Sequence, residues 1–406
     1  MHNSSNTMRI AGRAIVFCLL STAVVSCGGQ EPAAGSGDRA LNAALRSTES
    51  RKSRAPTVTP QNSGHPDKRI FGISPVNERV VWATATTPAG GGTWLKTTDG
   101  GANWASGVVP GAEGLQFRDV EGVSERVAYL LAAGGGTNSR LYRTEDGGKT
   151  WTLTYTNPDA NGFYDCFAFW SSQRGILMAD SVEGKFPALR TRDGARSWED
   201  LRNRMPPAQP GEGGFAASGT CAATQGEKRG WMVTGASGAP NAHARVLATR
   251  DGGNTWAAYE TPFPSTATDT SVGGLFTIAF RDAQHGITAG GDLANAVDTA
   301  PNVARSSDGG VSWAFTARRT NFLGAAYGLA YASGKGEHEG EDDGDDEAFA
   351  RTVVITGPNG TDWSSDEGDT WTPLPIDGPG YWAVAFASPK AGWLVGNRGR
   401  ILKISF

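Results

Sequence analysis

Six aspartates of the chain lie in one recurring eight-residue pattern, Ser/Thr-x-Asp-x-Gly-x-x-Trp. The aspartates are Asp99, Asp146, Asp193, Asp251, Asp308 and Asp366, and the tryptophans are Trp104, Trp151, Trp198, Trp256, Trp313 and Trp371. Carboxylates could act in acid–base catalysis or bind a cation. A catalytic carboxylate is not repeated six times along a chain, however, whereas Asp and Ser/Thr side chains commonly satisfy backbone N–H groups in tight turns. The pattern therefore predicts a structural turn that is used six times.

The glycine and the tryptophan of the pattern have separate physical roles. Glycine supplies a backbone conformation that other residues resist, and tryptophan can bury its ring against a neighbouring unit while its N–H finds an acceptor. Two copies vary, because Thr191–Trp198 carries Ala195 for glycine and Ser364–Trp371 carries Glu367 and Asp369. Both copies keep the Asp and the Trp, so we expect the same turn in all six.

The pattern resembles the Asp-box, or bacterial neuraminidase repeat, of sialidases, sortilin-type receptors and photosystem II assembly-factor propellers. In those families the turn joins the third and fourth strands of a propeller blade and lies far from the active face. Across residues 56–406 the chain most resembles the photosystem II stability and assembly factor-like proteins of bacteria. The resemblance implies an all-β propeller whose sixfold aspartates are structural.

A second pattern lies between the turns and gives the number of blades. The segments 167–180, 278–291 and 384–396 each contain an apolar strand, a polar turn and a second strand that begins at glycine. Residues 372–406 follow the last turn and are long enough for three strands. We expect Ala55–Pro60 to supply the fourth, because closing the ring removes exposed sheet edges. The sequence thus predicts a seven-bladed β-propeller of four-stranded blades over residues 56–406, with six or eight blades as alternatives.

The amino-terminal residues are typical of a targeting sequence. Two arginines precede an apolar stretch, residues 14–25, that is too short to span a bilayer permanently. The stretch ends in Val-Val-Ser-Cys27, which resembles the lipobox of bacterial lipoproteins; an ordinary signal peptide with a chance cysteine is the alternative. The resemblance implies removal of residues 1–26, acylation of Cys27 and anchoring in the bacterial cell envelope, with the following glycine favouring the outer membrane. Residues 27–55 have the composition of a flexible tether.

Cys166 and Cys221 are the two cysteines that remain in the predicted propeller. An oxidising compartment would allow them to form a disulfide. Two separate buried thiols are equally consistent with the sequence.

A set of polar and aromatic residues lies in the loops after second strands and at the starts of blades. The candidate binding residues are Tyr164, Asp165, Asp180, Lys185, Asp292, Asn359, Trp382 and Arg398. We expect these positions to share one face, where loops can vary on rigid sheets and bind a ligand. The alternative is that the Asp and Asn side chains only cap turns.

The segment 337–347 holds eight acidic residues among eleven. A block of like charges is typically a solvated loop, here inserted within blade six. Calcium is the cation that carboxylate oxygens would suit, but the run lacks the spacing of a helix–loop–helix calcium site. We therefore expect no metal and no cofactor, with calcium as the alternative.

Several classes of protein are excluded or disfavoured by the sequence. The chain has 37 basic and 41 acidic residues, which does not suggest nucleic-acid binding. It lacks dinucleotide, Walker, His-Glu-x-x-His and Cys-x-x-Cys motifs. A sialidase resemblance would require an Arg-Ile-Pro motif, and the nearest string, Arg69-Ile70-Phe71, lacks the proline.

The function that these features favour is a non-enzymatic, lipid-anchored propeller that binds a protein or peptide of the cell envelope. Such a scaffold could aid the assembly or stability of an envelope complex. The alternative is an Asp-box glycoside hydrolase of the exo-sialidase type, or a glycan-binding protein. Whether the protein is an enzyme is left open by the sequence.

Overall fold

The computed structural model describes residues 55–87, 89–334 and 349–406, and these residues form seven antiparallel sheets arranged as a propeller. The predicted seven-bladed fold is therefore confirmed. The predicted signal peptide, the tether, Cys27 and the acidic run 337–347 lie outside the described residues. No helix in the described part is long and apolar enough to cross a membrane.

The strands follow one another from the axis outwards in each blade. Strand β1 (Thr57–Asn62) precedes blade 1, which consists of β2 (Arg69–Pro75), β3 (Val81–Thr87), β4 (Gly90–Thr97) and β5 (Ala105–Val108). Blade 2 consists of β6 (Phe117–Gly122), β7 (Ala128–Ala132), β8 (Arg140–Thr144) and β9 (Thr152–Thr156). Blade 3 consists of β10 (Tyr164–Phe169), β11 (Gly175–Ala179), β12 (Leu189–Thr191) and β13 (Glu199–Asp200). Blade 4 consists of β14 (Ala222–Gln225), β15 (Arg229–Val233), β16 (His243–Thr249) and β17 (Ala257–Pro264).

The remaining three blades follow the same order. Blade 5 begins with a short extra strand, β18 (Thr266–Ala267), followed by β19 (Val272–Phe280), β20 (Gly286–Asp292), β21 (Val303–Ser306) and β22 (Ala314–Phe315). Blade 6 consists of β23 (Gly328–Tyr331), β24 (Val353–Gly357), β25 (Gly360–Ser364) and β26 (Thr372–Pro373). Blade 7 consists of β27 (Tyr381–Ser388), β28 (Ala391–Gly396), β29 (Arg400–Ser405) and β1.

Blade 7 is completed by the amino-terminal strand, as the sequence predicts. Strand β1 pairs antiparallel with β29 from Thr57 opposite Ser405 to Asn62 opposite Arg400. The strand ends two residues beyond the predicted segment 55–60. Because the first and last strands of the propeller share one sheet, the ring closes through backbone hydrogen bonds.

The core consists of the interfaces between neighbouring blades. The second strands β7 and β11 are buried at every residue, since both faces of the sheet are covered by adjacent blades. Trp82 of blade 1, for example, meets Trp151 of blade 2 edge-on, with ring centroids 6.2 Å apart. Continuous apolar runs, rather than strict alternation, are therefore what these strands require.

The six recurring turns join the third and fourth strands of blades 1 to 6. In the first turn the Asp99 carboxylate accepts the backbone N–H of Asn103 at 3.0 Å, and the Thr97 hydroxyl accepts that of Gly101 at 2.9 Å. Equivalent bonds recur in the other copies. The Asn103 side chain also donates to Asp99, and this bond, together with that of the Asn103 backbone N–H, holds the pKa of the Asp99 carboxyl well below its usual range. Most of the hydrogen bonds of each aspartate are made within its own turn.

Two of these turns place a non-glycine residue in the left-handed region. Ala195 has φ 59° and Glu367 has φ 57°, at positions where other copies have glycine. Glu367 accepts hydrogen bonds from Arg281 of blade 5 at 2.6 Å and from the Tyr331 hydroxyl at 3.0 Å. These contacts give the glutamate variant a role at the boundary of blades 5 and 6, whereas nothing comparable involves Ala195.

The indole N–H groups of the turns differ from the sequence expectation. Trp104 donates to the Gln61 side chain of β1 at 3.2 Å, and Trp313 donates to Gly310. In the other four copies, Trp151, Trp198, Trp256 and Trp371, the buried Nε1 has no partner. Their contribution is thus the burial of the ring, with an unsatisfied donor as its cost.

Candidate functional site

The antiparallel order of the strands gives the propeller two faces. The lower face carries the recurring turns and the loops between first and second strands. The upper face carries the loops between second and third strands and the connections from one blade to the next. The candidate binding residues of the sequence analysis lie at the upper ends of strands or in the upper loops.

One segment of the chain crosses the channel between the two faces. This axial segment, Gly213–Thr220, connects blade 3 to blade 4. The Ser218 hydroxyl donates to the Tyr327 carbonyl of blade 6 at 2.6 Å, and the Ala216 carbonyl accepts from Arg118 of blade 2 at 3.1 Å. Because blades 2 and 6 lie on nearly opposite sides of a seven-membered ring, the segment spans the axis.

Both ends of the axial segment are fixed. Before it, the buried Glu212 carboxylate accepts from Arg245 Nε at 2.8 Å and from the Thr234 hydroxyl at 2.6 Å. Directly after it, Cys221 forms a disulfide with Cys166 of β10. Of the two alternatives left open by the sequence, the structure has the disulfide.

Above the axial segment, aromatic rings form an arc around the upper mouth of the channel. Phe71 of blade 1 and Trp382 of blade 7 have ring centroids 5.7 Å apart, and Trp382 and Tyr327 are 5.0 Å apart. The arc continues through Phe276 of blade 5 to Phe215 of the axial segment, which are stacked at 4.1 Å. Trp382 and Phe215 are partly exposed, so the arc presents ring surface to solvent.

Two arginines stand over this arc. Arg69 Cζ lies 4.4 Å from the Trp382 ring and 5.4 Å from the Phe71 ring, and Arg118 Cζ lies 4.3 Å from the Phe71 ring. The Phe71 ring therefore lies close to both guanidinium groups. Cation–π contacts of this kind contribute about 0.5–2 kcal/mol each.

Within the described residues, the two guanidinium groups are hydrogen-bonded only to neutral oxygens. Arg69 Nε donates to the Asn397 amide oxygen at 2.7 Å, and Arg118 donates to the Gln116 amide oxygen and to Ala216. Desolvation lowers the pKa of both groups, and the charge of Arg69 lowers that of Arg118 further. The neighbouring Asp165 carboxyl acts in the opposite direction and raises the pKa of Arg118, but it makes no hydrogen bond to either guanidinium group. An anionic ligand that hydrogen-bonds to both guanidinium groups would stabilise their like charges. We call Arg69, Phe71, Arg118, Trp382 and Asn397 the upper cup.

Beside the cup, Asp165 and Asp180 form a pair of carboxyl groups against Gly214. The Gly214 N–H donates to Asp180 at 2.9 Å, while the buried Asp165 Oδ2 has no partner. Burial and the neighbouring Asp180 charge raise the pKa of Asp165 well above its usual range, and burial raises the pKa of Asp180 to about 6. The two carboxyl groups are therefore coupled, so that a proton on one favours ionisation of the other.

The structure distributes the candidate residues of the sequence analysis unevenly. Trp382 belongs to the cup, and Asp165 and Asp180 adjoin it. Tyr164 is 1% exposed and packs between blades rather than on the face. The other four candidates belong to outer loops. Asn359 donates to the backbone of Ala296 and Leu323, and Asp292 accepts from the backbone of Val272 and Ala294. Lys185 contacts Asn203, and Arg398 is exposed.

A tyrosine–glutamate pair is present, but on the opposite face from the cup. Tyr331 and Glu367 are hydrogen-bonded at the lower ends of their strands, and Glu367 also binds Arg281 and Arg351. Glu367 is 6% exposed and already has three donors. The described residues thus do not unite this pair with Arg69 and Arg118 in the arrangement expected of a sialidase.

Among the described residues, no three His, Cys, Asp or Glu side chains come together as a metal site. The acidic run 337–347, the alternative calcium site, lies outside the described residues. The upper cup itself offers guanidinium groups and aromatic rings, which suit an anionic organic ligand rather than a cation.

The comparisons with known proteins agree with the propeller fold. No family model and no curated protein matches the sequence. Among solved structures, "YCF48 bound to D1 peptide" is 15% identical with a TM-score of 0.56, covering 87% of this chain and 97% of that chain. "YCF48 from Cyanidioschyzon merolae" is 16% identical with a TM-score of 0.54, covering 87% and 99%. An inactive virginiamycin B lyase from Staphylococcus aureus with quinupristin is 12% identical with a TM-score of 0.59, covering 86% and 99%.

Proposed function

We propose that the protein is a lipid-anchored scaffold that binds a protein or peptide segment in the upper cup. The observation that carries this proposal is the pair of guanidinium groups, Arg69 and Arg118, which are held over aromatic rings and are hydrogen-bonded to no carboxylate among the described residues. Natural interfaces are enriched in arginine and aromatic residues of this kind.

The chemistry of the cup defines the segment that it would accept. A carboxylate of the partner would form charge-assisted hydrogen bonds with one or both guanidinium groups. An apolar or aromatic side chain next to that carboxylate would cover the exposed surface of Trp382 and Phe215. The partner segment is therefore acidic and partly apolar, and it binds in an extended form across the mouth of the channel.

The cellular setting of the proposal comes from the sequence. Acylation at Cys27 would confine the protein to the bacterial envelope, so its partner would be an envelope protein whose assembly or stability it supports. One solved propeller of similar fold is described as bound to a peptide, which is compatible with peptide binding here.

An array of immobilised peptides of varied net charge tests the proposal. We expect the purified protein to retain acidic, partly apolar peptides, and R69Q and R118Q together to weaken that binding about tenfold or more, because each guanidinium bond to a charged group contributes about 1.5–3 kcal/mol. R79Q is the matched control, since Arg79 is exposed on the lower face. Equal retention of acidic and basic peptides would contradict the proposal. Turnover of sialosides or other glycans on a parallel panel would instead support the enzymatic alternative.

A further inference from the structure

A pair of carboxyl groups, Asp165 and Asp180, lies next to the upper cup. Asp165 belongs to β10 and Asp180 directly follows β11, so both side chains come from blade 3. Asp165 is 1% exposed, and its Oδ2 atom is a buried acceptor without a hydrogen-bond partner. Burial without a hydrogen bond disfavours the charged form of a carboxyl group, so this group takes up a proton more readily than one in water.

The axial segment brings this pair close to Arg118 of the cup. A Cβ atom on Gly214 would lie 2.7 Å from Asp165 Oδ2, so the backbone of Gly214 packs directly on that carboxyl group. Two residues further on, the Ala216 carbonyl accepts the hydrogen bond from Arg118 at 3.1 Å. Burial and the Asp180 charge raise the pKa of Asp165, while the Arg118 charge acts against them. The carboxyl pair and the cup arginine are therefore electrostatically linked.

The charged groups around Asp165 come from several elements. Asp180 adjoins it within blade 3, and Arg118 faces it from β6 of blade 2. Asp119, also of β6, accepts a backbone N–H of β10 at 2.8 Å. The axial segment has no charged residue, and Glu212 before it is ion-paired with an arginine of β16. Arg118 is therefore the cation whose charge the carboxyl pair offsets.

The proton content of the pair changes the charge that a ligand meets in the cup. When the pair loses its protons, negative charge lies beside Arg118 and repels an anionic ligand there. When the pair gains protons, that repulsion is removed while the guanidinium groups keep their charge. We therefore infer that the Asp165–Asp180 pair is a proton-controlled regulator of the upper cup, which binds its acidic segment more tightly as the pH falls from 8 to 5. The inference rests on the proposed function, because it concerns the same ligand and the same arginines.

The pH range follows from the environment of the two carboxyl groups. Burial raises the pKa of Asp180 to about 6, and burial with the Asp180 charge raises the pKa of Asp165 well above its usual range. The pair therefore changes its proton content between pH 5 and pH 8, where a carboxyl group on the surface is already ionised. Because the coupling is reciprocal, a ligand that binds better to the protonated pair must also cause proton uptake when it binds.

Isothermal titration calorimetry of the full chain at several pH values tests the inference. The probe is a pentapeptide with one cysteic acid between apolar residues, acetylated and amidated at its ends, because a sulfonate keeps its charge from pH 5 to pH 8. We expect binding to be at least about fivefold tighter at pH 5 than at pH 8, which is the lower range of coupling between two sites. Titrations at pH 7 in buffers of different ionisation enthalpy should show net proton uptake.

Two substitutions and a control locate the effect. D165N removes the charge beside Arg118 at nearly constant shape, so it should lose most of the pH dependence and bind more tightly than the natural chain at pH 8. D180N leaves a single carboxyl group, whose pH dependence should shift to lower pH because a like charge is gone. D362N is the matched control, since Asp362 is 2% exposed and burial also raises its pKa, but it belongs to blade 6. Its pH dependence should match that of the natural chain.

The outcomes separate this inference from the proposed function. Peptide binding that is equally tight or weaker at pH 5, that takes up no protons, or whose pH dependence is the same in D165N and D362N would overturn the inference alone. If D165N does not fold, proton uptake by the natural chain still decides the question. Absence of binding at every pH, or binding that R69Q and R118Q together do not weaken, would overturn the proposed function and this inference with it.

Discussion

Removing the disulfide that follows the axial segment should destabilise the propeller substantially. The perturbation is the double substitution C166A and C221A, compared with the natural chain. The bond closes a loop with a sequence separation of 55 residues between blades 3 and 4. Both cysteines are completely buried, so their replacement also removes a packed sulfur pair.

The expected magnitude follows from the length of the loop. With 55 residues in the loop, the chain-entropy relation gives an entropy difference of about 14 cal/mol/K, or about 4 kcal/mol at room temperature. The lost sulfur packing adds to this cost, whereas residual structure in the unfolded chain subtracts from it. For a urea dependence of about 3 kcal/mol/M, the midpoint of unfolding should fall by about 1.4 M.

Urea unfolding followed by tryptophan fluorescence measures this effect, since the chain has 13 tryptophans distributed over the blades. A reducing agent should lower the midpoint of the natural protein but leave that of the double variant unchanged. A C27A chain is the matched control, because it loses a cysteine outside the propeller. If the double variant and the natural protein unfold within about 0.3 M of each other, which is about 1 kcal/mol at the same slope, the reasoning from loop closure is refuted.

Three further predictions concern other features. The substitution A195G should raise the free energy of unfolding by about 0.5–1 kcal/mol, because it removes about 1–2 kcal/mol of left-handed strain at a cost of about 0.5–1 kcal/mol in chain entropy. The reverse substitution in another turn, G253A, should lower the free energy of unfolding. Equal unfolding midpoints for both variants and the natural chain would contradict this prediction. The raised pKa of Asp180, about 6, makes the folded state bind more protons than the unfolded state between pH 4 and pH 6, so this carboxyl lowers the stability as pH rises. D180N should therefore flatten that part of the plot of unfolding free energy against pH. An unchanged slope would refute the raised pKa of Asp180. The substitution C27A should release the protein from membranes in a fractionation experiment, and unchanged partitioning would refute the predicted lipidation.

The parts of the fold that could be predicted from the sequence are encoded locally. Each turn from Thr97–Trp104 to Ser364–Trp371 carries its own hydrogen-bonding side chains, so six copies identify six blades without any long-range information. The seventh blade follows from residues 372–406, which supply three strands and require a fourth. The amino-terminal strand can then pair with the open edge of the seventh blade.

The upper cup could not be predicted in the same way. Arg69 and Trp382 are brought together only by closure of the ring, and neither residue belongs to a recurring pattern. The string Arg69-Ile70-Phe71 resembles a sialidase motif only in part, and nothing in it indicates that its arginine and phenylalanine both belong to the cup. Arg398 is a candidate binding residue of the sequence analysis, but it is the preceding residue, Asn397, that accepts a hydrogen bond from Arg69.

The composition of the axial segment explains why its path across the channel could not be predicted from the sequence. A Cβ atom on Gly214 would lie 2.7 Å from Asp165 Oδ2, and one on Gly213 or Gly219 would overlap the carboxyl groups of Asp180 or Asp119. The glycines are therefore required by close approach to three carboxyl groups of blades 2 and 3, and the sequence of a glycine-rich linker does not reveal such a long-range contact. Because the segment is fixed by Glu212 at one end and by the disulfide at the other, a ligand in the upper cup would contact a constrained strip of backbone.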